Sequence, residues 1–270
     1  MPTITSWNVN GIRAVNRNDG LSSYISSYSP DIICLQEIRC SDEHIQESIF
    51  NRFPDYEFTT IKCSLKKGYA GVAILSKYPF QDLSNSEFTF FEGKEGRINV
   101  AVFQQYILIN TYTPNSQGQG TVRFIYRVQD WDMQFTNMVK KIKEKFPNKK
   151  VIVCGDFNVS HLDIDVYDHE NEHIHKTAGF TKEERDNFSS LLRDSTMIDA
   201  YRSLYPSKKA FTWWSNFNQA RQKDRGMRLD YFVVPNDDAF IIEDVIIHKE
   251  VMGSDHAPIE LKFQINQKVV

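Results

Sequence analysis

The sequence holds no run of about 18 consecutive apolar residues, so no membrane-spanning helix is expected. Nor does it open on a leader: Met1-Pro2-Thr3-Ile4-Thr5 enters a strand pattern at once, which leaves no room for a signal peptide or anchor. The chain therefore reads as soluble and intracellular. Cysteine is scarce. The four present, Cys34, Cys40, Cys63 and Cys154, show no CxxC spacing, which excludes a disulfide scaffold or a thiolate zinc site. Two of them sit in the apolar runs DIICLQ and VIVCGD, where a free thiol packs as a small hydrophobe, and reduced cysteines are expected. An excess of one charge is also missing. Lysine and arginine number 32 against 35 acidic residues, a formal net charge of −3, so no whole-molecule positive field holds a polyanion and any nucleic-acid contact must be a local face. No tandem repeat of roughly 20 to 50 residues is visible. The one polar, irregular stretch, 163–177, is too short to be a domain linker, and a single domain spanning 1–270 is expected.

What is present is enough apolar residue, 41% of the chain, to bury a sizeable core. Short β-rich apolar runs recur: ITSWN, DIICLQ, AGVAILS, RINVAVF, YILINTY, VIVCGDF, LDYFVV and IELKFQI. Between them Leu21, Tyr24, Ile25 and Tyr28 share one helical face, and the 3–4 spacing of Phe124, Val128, Trp131, Phe135, Met138, Val139 and Ile142 predicts a longer helix. Phe188, Leu191 and Leu192 mark a third, with Thr181 and Glu184 spaced as a capping box at its start. Strands outnumber helices and neighbours are close enough to pair antiparallel. The pattern fits an α/β sandwich, sheets face to face with helices outside, better than a purely parallel fold.

Polar, metal-capable residues stand at the ends of these strands: Asn8; Glu37; Tyr112 and Asn115; Asp156 and Asn158; Asp230; Asp255 and His256. Taken singly, an Asp or Asn after a strand is more readily a turn residue. Six such ends carrying only Asp, Glu, Asn, His and Tyr are harder to explain by turns alone. Asn8, Glu37, Asp156, Asn158 and Asp255 offer hard oxygen donors suited to Mg²⁺ or Mn²⁺, with no thiolate nearby for zinc. Phosphoryl chemistry is the natural use of such a rim, and a His beside an Asp adds a group that carries charge near neutral pH.

Nearly end to end, the segments SWNVNGIRAV, DIICLQEIRC, KKGYAGVAILSK, EGRINVAVF, NTYTPNS, CGDFNVSHLDID, AGFTKEER, FTWWSN, RGMRLDYFVV and VMGSDHAPIEL make the chain resemble the exonuclease III-like apurinic/apyrimidinic endonucleases, within the endonuclease/exonuclease/phosphatase superfamily. The resemblance implies a four-layer α/β sandwich, two mixed sheets face to face with helices on both outer faces. It implies cleavage of duplex DNA 5′ to an abasic site to leave a 3′-hydroxyl, with 3′-phosphodiesterase or 3′→5′ exonuclease activity beside it. Carried over by motif, Glu37 is the principal Mg²⁺ ligand, Mn²⁺ being the alternative ion, with Asn8 and Asp255 beside it; Asp156, Asn158 and His256 also border the ion. Asp156 orients or deprotonates the attacking water and Asn158 binds the scissile phosphate. His256, held by Asp230, meets the developing charge, and Tyr112 and Asn115 support the phosphate from the other side.

Arg13, Lys67, Gly68, Tyr69, Arg97, Arg221 and Arg228 match DNA-holding positions, and Trp213, Met227 and Leu229 match the pocket for an extruded abasic sugar, with buried core as the competing reading for those three and the preferred one for Trp214. The chain departs from the family in lacking an arginine in SQGQGTV, in carrying Met227 where some members have Trp, and in the longer, acidic VYDHENEHIHKT. His169, His173 and His175 in that segment are read as part of a polar loop rather than a metal set. The expected partner is duplex DNA with abasic or damaged sites, not a membrane, and the expected state a monomer. The compartment is the nucleus in a eukaryote and the cytoplasm otherwise. Two alternatives stay open: a superfamily phosphodiesterase or phosphatase with another substrate, and a non-catalytic DNA-damage-binding or scaffolding protein.

Overall fold

The computed structural model describes residues 2–266; Met1 and 267–270, the two ends of the expected 1–270 domain, lie outside the described residues. In chain order the strands are β1 (Thr3–Asn8), β2 (Ile32–Gln36), β3 (Phe58–Lys62), β4 (Val72–Ser76), β5 (Gln81–Asp82), β6 (Ile98–Val102), β7 (Tyr106–Tyr112), β8 (Lys150–Asp156), β9 (Met197–Asp199), β10 (Trp213–Trp214), β11 (Gly226–Met227), β12 (Asp230–Pro235), β13 (Phe240–Ile247) and β14 (Ile259–Ile265). The α-helices are α1 (Ile12–Arg17), α2 (Gly20–Tyr28), α3 (Asp42–Ile45), α4 (Val122–Ile125), α5 (Asp132–Lys145), α6 (Lys182–Asp194) and α7 (Ala200–Leu204).

Two six-stranded mixed sheets form, in the orders β13-β14-β1-β2-β4-β3 and β5-β6-β7-β8-β12-β9. Each has one parallel pair at its centre, β1 with β2 and β7 with β8, and antiparallel neighbours elsewhere. The central strands read as unbroken apolar runs because both faces are covered. Ile4, Ile32, Cys34 and Ile74 of one sheet meet Leu108, Ile152, Cys154 and Phe232 of the other. The alternate residues point outward: Ile33, Leu35 and Ala73 onto Val15, Leu21 and Tyr24, and Ile107, Val151 and Val153 onto Phe135, Met138, Ile142, Phe188 and Leu191. The result is the expected four-layer α/β sandwich.

Polar pins fix the two sheets near one rim. Buried Gln36 donates through Nε2 to Asn110 Oδ1 at 2.7 Å, and Asn110 Nδ2 donates to the carbonyls of Leu35 and Ala73, each at 3.0 Å. That rim collects the C-terminal ends of both parallel pairs. Because β12 runs antiparallel to β8, its first residue Asp230 lies directly opposite Asp156, and Tyr112 lies opposite Asp156 on the other side. The segment before β14 returns to the Asn8 end of β1 for the same reason.

Two elements differ from the sequence reading. The helix expected from Phe124 is α4, then a π-helical stretch over Tyr126–Trp131, then α5. The wider turn lets both Arg127 and Trp131 point inward, with Arg127 donating to Pro114 O at 3.1 Å and Asp132 Oδ1 at 2.7 Å. Strand β13 has no counterpart among the expected runs, because Glu243 and Asp244 interrupt its apolar pattern and the strand carries a register shift between Ile242 and Asp244 at the sheet edge. The capping box at α6 forms as expected: Thr181 Oγ1 accepts from Glu184 N at 3.3 Å, and Glu184 Oε2 accepts from Thr181 N at 3.2 Å. No helix among the described residues is long and apolar enough to cross a membrane.

Candidate active site

Turn chemistry and site chemistry turn out to use different atoms of the same side chains. Asn8 Oδ1 accepts from Asn10 N at 3.0 Å, making the turn after β1, while its Nδ2 donates to Glu37 Oε1 at 3.1 Å and Asp156 Oδ2 at 2.9 Å. Asp156 Oδ1 accepts from Asn158 N at 2.8 Å and leaves Oδ2 to face the site. Asn115 Oδ1 accepts from Gln117 N at 2.9 Å, and its Nδ2 donates to Asn158 Oδ1 at 3.0 Å. Asn158 Nδ2 in turn donates to Thr113 O at 2.9 Å.

Backbone geometry makes this convergence possible. At Gly155, φ is 139°, and an added Cβ would sit 1.9 Å from Thr111 O, so only glycine allows the approach of β7 and β8 that sets Asp156 opposite Tyr112. Glu37 has φ 49°, a left-handed conformation that costs a non-glycine residue about 1–2 kcal/mol. It is held there by Gly11 N donating to Glu37 O at 2.7 Å and by Ile38 N and Arg39 N donating to Gly71 O and Ala70 O at 3.1 and 2.9 Å.

Behind Asp156 lies a buried carboxylate–imidazole pair. His256 Nδ1 donates to Asp230 Oδ2 at 2.8 Å, and its Nε2 stands 3.8 Å from Asp156 Oδ2. Burial alone would lower the imidazole pKa, but the charges of Asp230 and Asp156 and the bond to Asp230 outweigh it and push the value up to about 10. Burial, with the charge of Asp230, pushes the Asp156 carboxyl up to about 7, against the opposing pull of His256 and the Asn158 and Asn8 hydrogen bonds. The backbone amides of Leu229 and Asp230 donate to Thr212 Oγ1 at 2.9 and 3.1 Å, fixing the start of β12. Asp255 is held by Asn10 Nδ2 at 2.9 Å and Trp213 Nε1 at 3.2 Å. Buried Tyr112 has its phenol pushed well up, first by burial and then by Glu37.

The donor set fits a hard divalent cation. Among the described residues, the carboxylates Glu37, Asp156, Asp230 and Asp255 have His256 and Arg39 as their ion-pair partners, with Arg221 near enough to Asp255 to act on it by charge. The pKa of Asp156 is raised first by burial and only then by the charge of Asp230, so the fit to a cation rests on the oxygen donors themselves. Asp156, Asp230 and His256 offer ligand atoms within 4.8 Å of one another, but an imidazole that keeps both protons is a cation and not a ligand. His256 stands in that group by geometry, with Nδ1 committed to Asp230 and Nε2 facing Asp156. Glu37, with 13% of its side chain exposed, gives the cation access from solvent, with Asn8, Asp156 and Asp255 around it.

Two of the expected DNA-holding arginines are buried and a third is half-buried. Arg228 is buried, paired with Asp165 at 2.8 Å and Asp199 at 2.6 Å. Arg97 is buried, donating to Tyr112 O at 3.0 Å and Tyr69 OH at 2.7 Å and paired with Glu95 at 2.5 Å. Half-buried Arg221 donates to the carbonyls of Ser254, Lys249 and Val251. The protein's own acceptors engage most donors of these three guanidinium groups, although Arg221 Nε and Arg228 Nη1 have no partner among the described residues, so the structure places them first as internal ties. Arg13, Lys67 and Gly68 are exposed and Tyr69 is half-buried at the rim, beside Arg97. Trp213, Met227 and Leu229 do meet, with Val166 and Phe180, in one apolar cluster in which Met227 and Leu229 are buried. Trp214 is buried against Phe211 and Ala257. In the acidic loop, His175 rests its ring 5.0 Å from Phe180 and bonds His169 O at 3.0 Å, while His173 is exposed.

Sequence reasoning missed Asn10, Arg39, Thr212 and Ser254. Arg39 Nε donates to Glu37 Oε2 at 2.8 Å, and Ser254 Oγ donates to Asn8 O at 2.7 Å. Asn10 and Arg39 each stand two residues past a singled-out site residue, the spacing that was available as a signal.

The Endonuclease/Exonuclease/phosphatase family matches residues 5–256. The exodeoxyribonuclease of Bacillus subtilis (strain 168) is 37% identical over 97% of this chain and 99% of its own. The DNA repair nuclease APEX1 of Danio rerio is 37% identical over 96% of this chain and 81% of its own. Among solved structures, the 3′ phosphatase NExo from Neisseria bound to product DNA hairpin superposes with a TM-score of 0.84 at 26% identity, covering 98% of this chain and all, 100%, of that one.

Proposed function

This chain belongs to the Endonuclease/Exonuclease/phosphatase family, and from that membership we propose that it is a DNA repair nuclease, one domain over 1–270, that hydrolyses the phosphodiester 5′ to an abasic site in duplex DNA. The reading adds 3′-phosphodiesterase or 3′→5′ exonuclease activity. The observation that carries it is the bridge of Asn8 Nδ2 between Glu37 and Asp156, with the His256–Asp230 pair directly behind.

Asp156 Oδ2, fixed by Asn8, orients the attacking water and takes its proton, a role suited to a carboxyl raised to about 7. His256, kept protonated by Asp230, donates from Nε2 toward a non-bridging phosphate oxygen and meets the charge that builds in the transition state. Tyr112, Asn115 and Asn158 support the same phosphate from the β7 side. Glu37, Asp156 and Asp255 would hold Mg²⁺, with Asn8 Nδ2 orienting the first two carboxylates, and the ion would supply Lewis-acid neutralisation of the phosphoryl charge. Arg13, Lys67, Gly68 and Tyr69 meet the duplex backbone, Arg97 setting the tyrosine, and Trp213, Met227 and Leu229 meet the abasic sugar. Duplex DNA is the partner and the protein acts as a monomer.

The test is incubation with a duplex carrying one abasic-site analogue, with Mg²⁺ or with chelator. A Mg²⁺-dependent nick 5′ to the lesion is expected; tight binding without cleavage would support the scaffolding alternative instead.

A further inference from the structure

The three carbonyls that Arg221 engages all belong to the segment 249–254, which joins edge strand β13 to Asp255 and His256. Nη1 donates to Ser254 O at 2.9 Å, and Nη2 donates to Lys249 O at 3.0 Å and Val251 O at 2.7 Å. The guanidinium lies 4.7 Å over the Trp214 ring. The segment's other ties include Tyr28 OH donating to Glu250 Oε1 at 2.9 Å, Val251 N donating to His248 O at 3.0 Å and the Val251 side chain packed on the outer core of the first sheet, while Met252 and Gly253 are exposed. Its far end is fixed by other means. Trp7 Nε1 donates to His256 O at 3.1 Å, Ser254 Oγ to Asn8 O at 2.7 Å and Trp214 N to Asp255 O at 3.0 Å. Through Ser254 O, the residue directly before Asp255, Arg221 shares the placing of that end with β1 and β10 and gathers the approach onto it.

We propose that Arg221 is a positioning residue for the reaction: by gathering the carbonyls of Lys249, Val251 and Ser254 it sets where Asp255 and His256 stand relative to Glu37 and Asp156, without itself touching DNA. The inference rests on the nuclease reading above. Charge-assisted bonds from one planar fork to several carbonyls need a guanidinium; lysine is a point charge and reproduces only part of them. Misplacing a reacting group by about 1 Å costs on the order of a hundredfold in rate.

The experiment compares the unaltered protein with Arg221→Gln, Arg221→Lys and Arg221→Ala on an abasic-analogue duplex. Kd and its salt dependence are measured in chelator, and the single-turnover cleavage rate is measured at saturating protein in Mg²⁺. The expected result for Arg221→Gln is a Kd within about twofold, an unchanged salt slope, and a rate lowered about 10- to 100-fold. Arg221→Lys falls between the two, and methylguanidinium restores part of the rate of Arg221→Ala, a rescue that general loss of packing does not give. A weakened Kd with a salt slope smaller by about one and a normal rate at saturation would make Arg221 a phosphate contact and overturn the proposal. So would rates equal to the unaltered protein. If circular dichroism shows Arg221→Ala unfolded, the Gln and Lys pair decides the matter by the same readings. Failure of the unaltered protein to nick the duplex counts against the nuclease reading, whereas normal nicking with Arg221→Gln equally fast counts against Arg221 alone.

Discussion

Asp156 and His256 divide one charge problem between them. Asp156 must be free of its proton to act as a base, and His256 must keep its own to act as a cation. Their pKa values, pushed up to about 7 and about 10, place both conditions between those two pH values. Bound Mg²⁺ draws the Asp156 value down, so the cleavage rate should already be on its plateau by about pH 7 and fall near 10, and His256→Asn should remove the falling limb; a rate that does not fall at high pH in the unaltered protein would refute the assignment. The same shifts enter stability with definite signs. The folded protein holds the Asp156 proton that an unfolded chain releases near 3.8, so this group's contribution declines as pH rises from there to about 7. The His256 contribution is full below 6.5 and is lost as pH climbs to about 10. Asp156→Asn should lower turnover by about 10²–10⁴-fold at pH 8 while circular dichroism stays unchanged, since an amide still serves the turn bond from Asn158.

At the scale of elements, the site depends on how loops are tied down between strands. Asp165, in the loop after β8, is paired with Arg228 at the mouth of β12 and with Arg202 of α7, and Arg228 also reaches Asp199 at the end of β9. Arg228→Met strands buried carboxylate charge and should cost about 3–5 kcal/mol in urea unfolding; a cost below 1 kcal/mol would mean that the network is not closed. Thr181→Ala opens the capping box of α6 and should cost about 1 kcal/mol in the same measurement. The capping box was legible because it is local, two residue types at fixed spacing. The π-helical stretch at Tyr126–Trp131 and the edge strand β13 were not. The first leaves the apolar spacing of its neighbours almost intact, and the second pairs through its backbone while its side chains alternate with acidic residues.

For the molecule as a whole, both sheets bring Glu37, Asp156 and Asp255 to one rim, where the proposed cation would add a ligand that the unfolded chain does not bind. Mg²⁺ should raise the melting temperature, by a free energy of about 2.7 kcal/mol at a hundredfold excess over Kd. Glu37→Gln should abolish that increment while retaining the transition itself, as read by differential scanning calorimetry. A Mg²⁺ effect that survives Glu37→Gln would move the ion elsewhere.

The sequence by itself determined the layers and the chemistry. Unbroken apolar runs can be satisfied only by covering both faces of a sheet, and oxygen-bearing residues at the ends of such runs are placed on a rim wherever the strands lie. Tertiary structure alone decided which cations reach solvent. Arg13 and Lys67 differ in no local way from Arg97, Arg221 and Arg228. Their fates diverge because Tyr69 with Tyr112 O, the 249–254 carbonyls, and Asp165 with Asp199 arrive from distant parts of the chain to claim the last three. Such long-range pairing depends on the packing of the two sheets, and residue type and spacing carry no record of it.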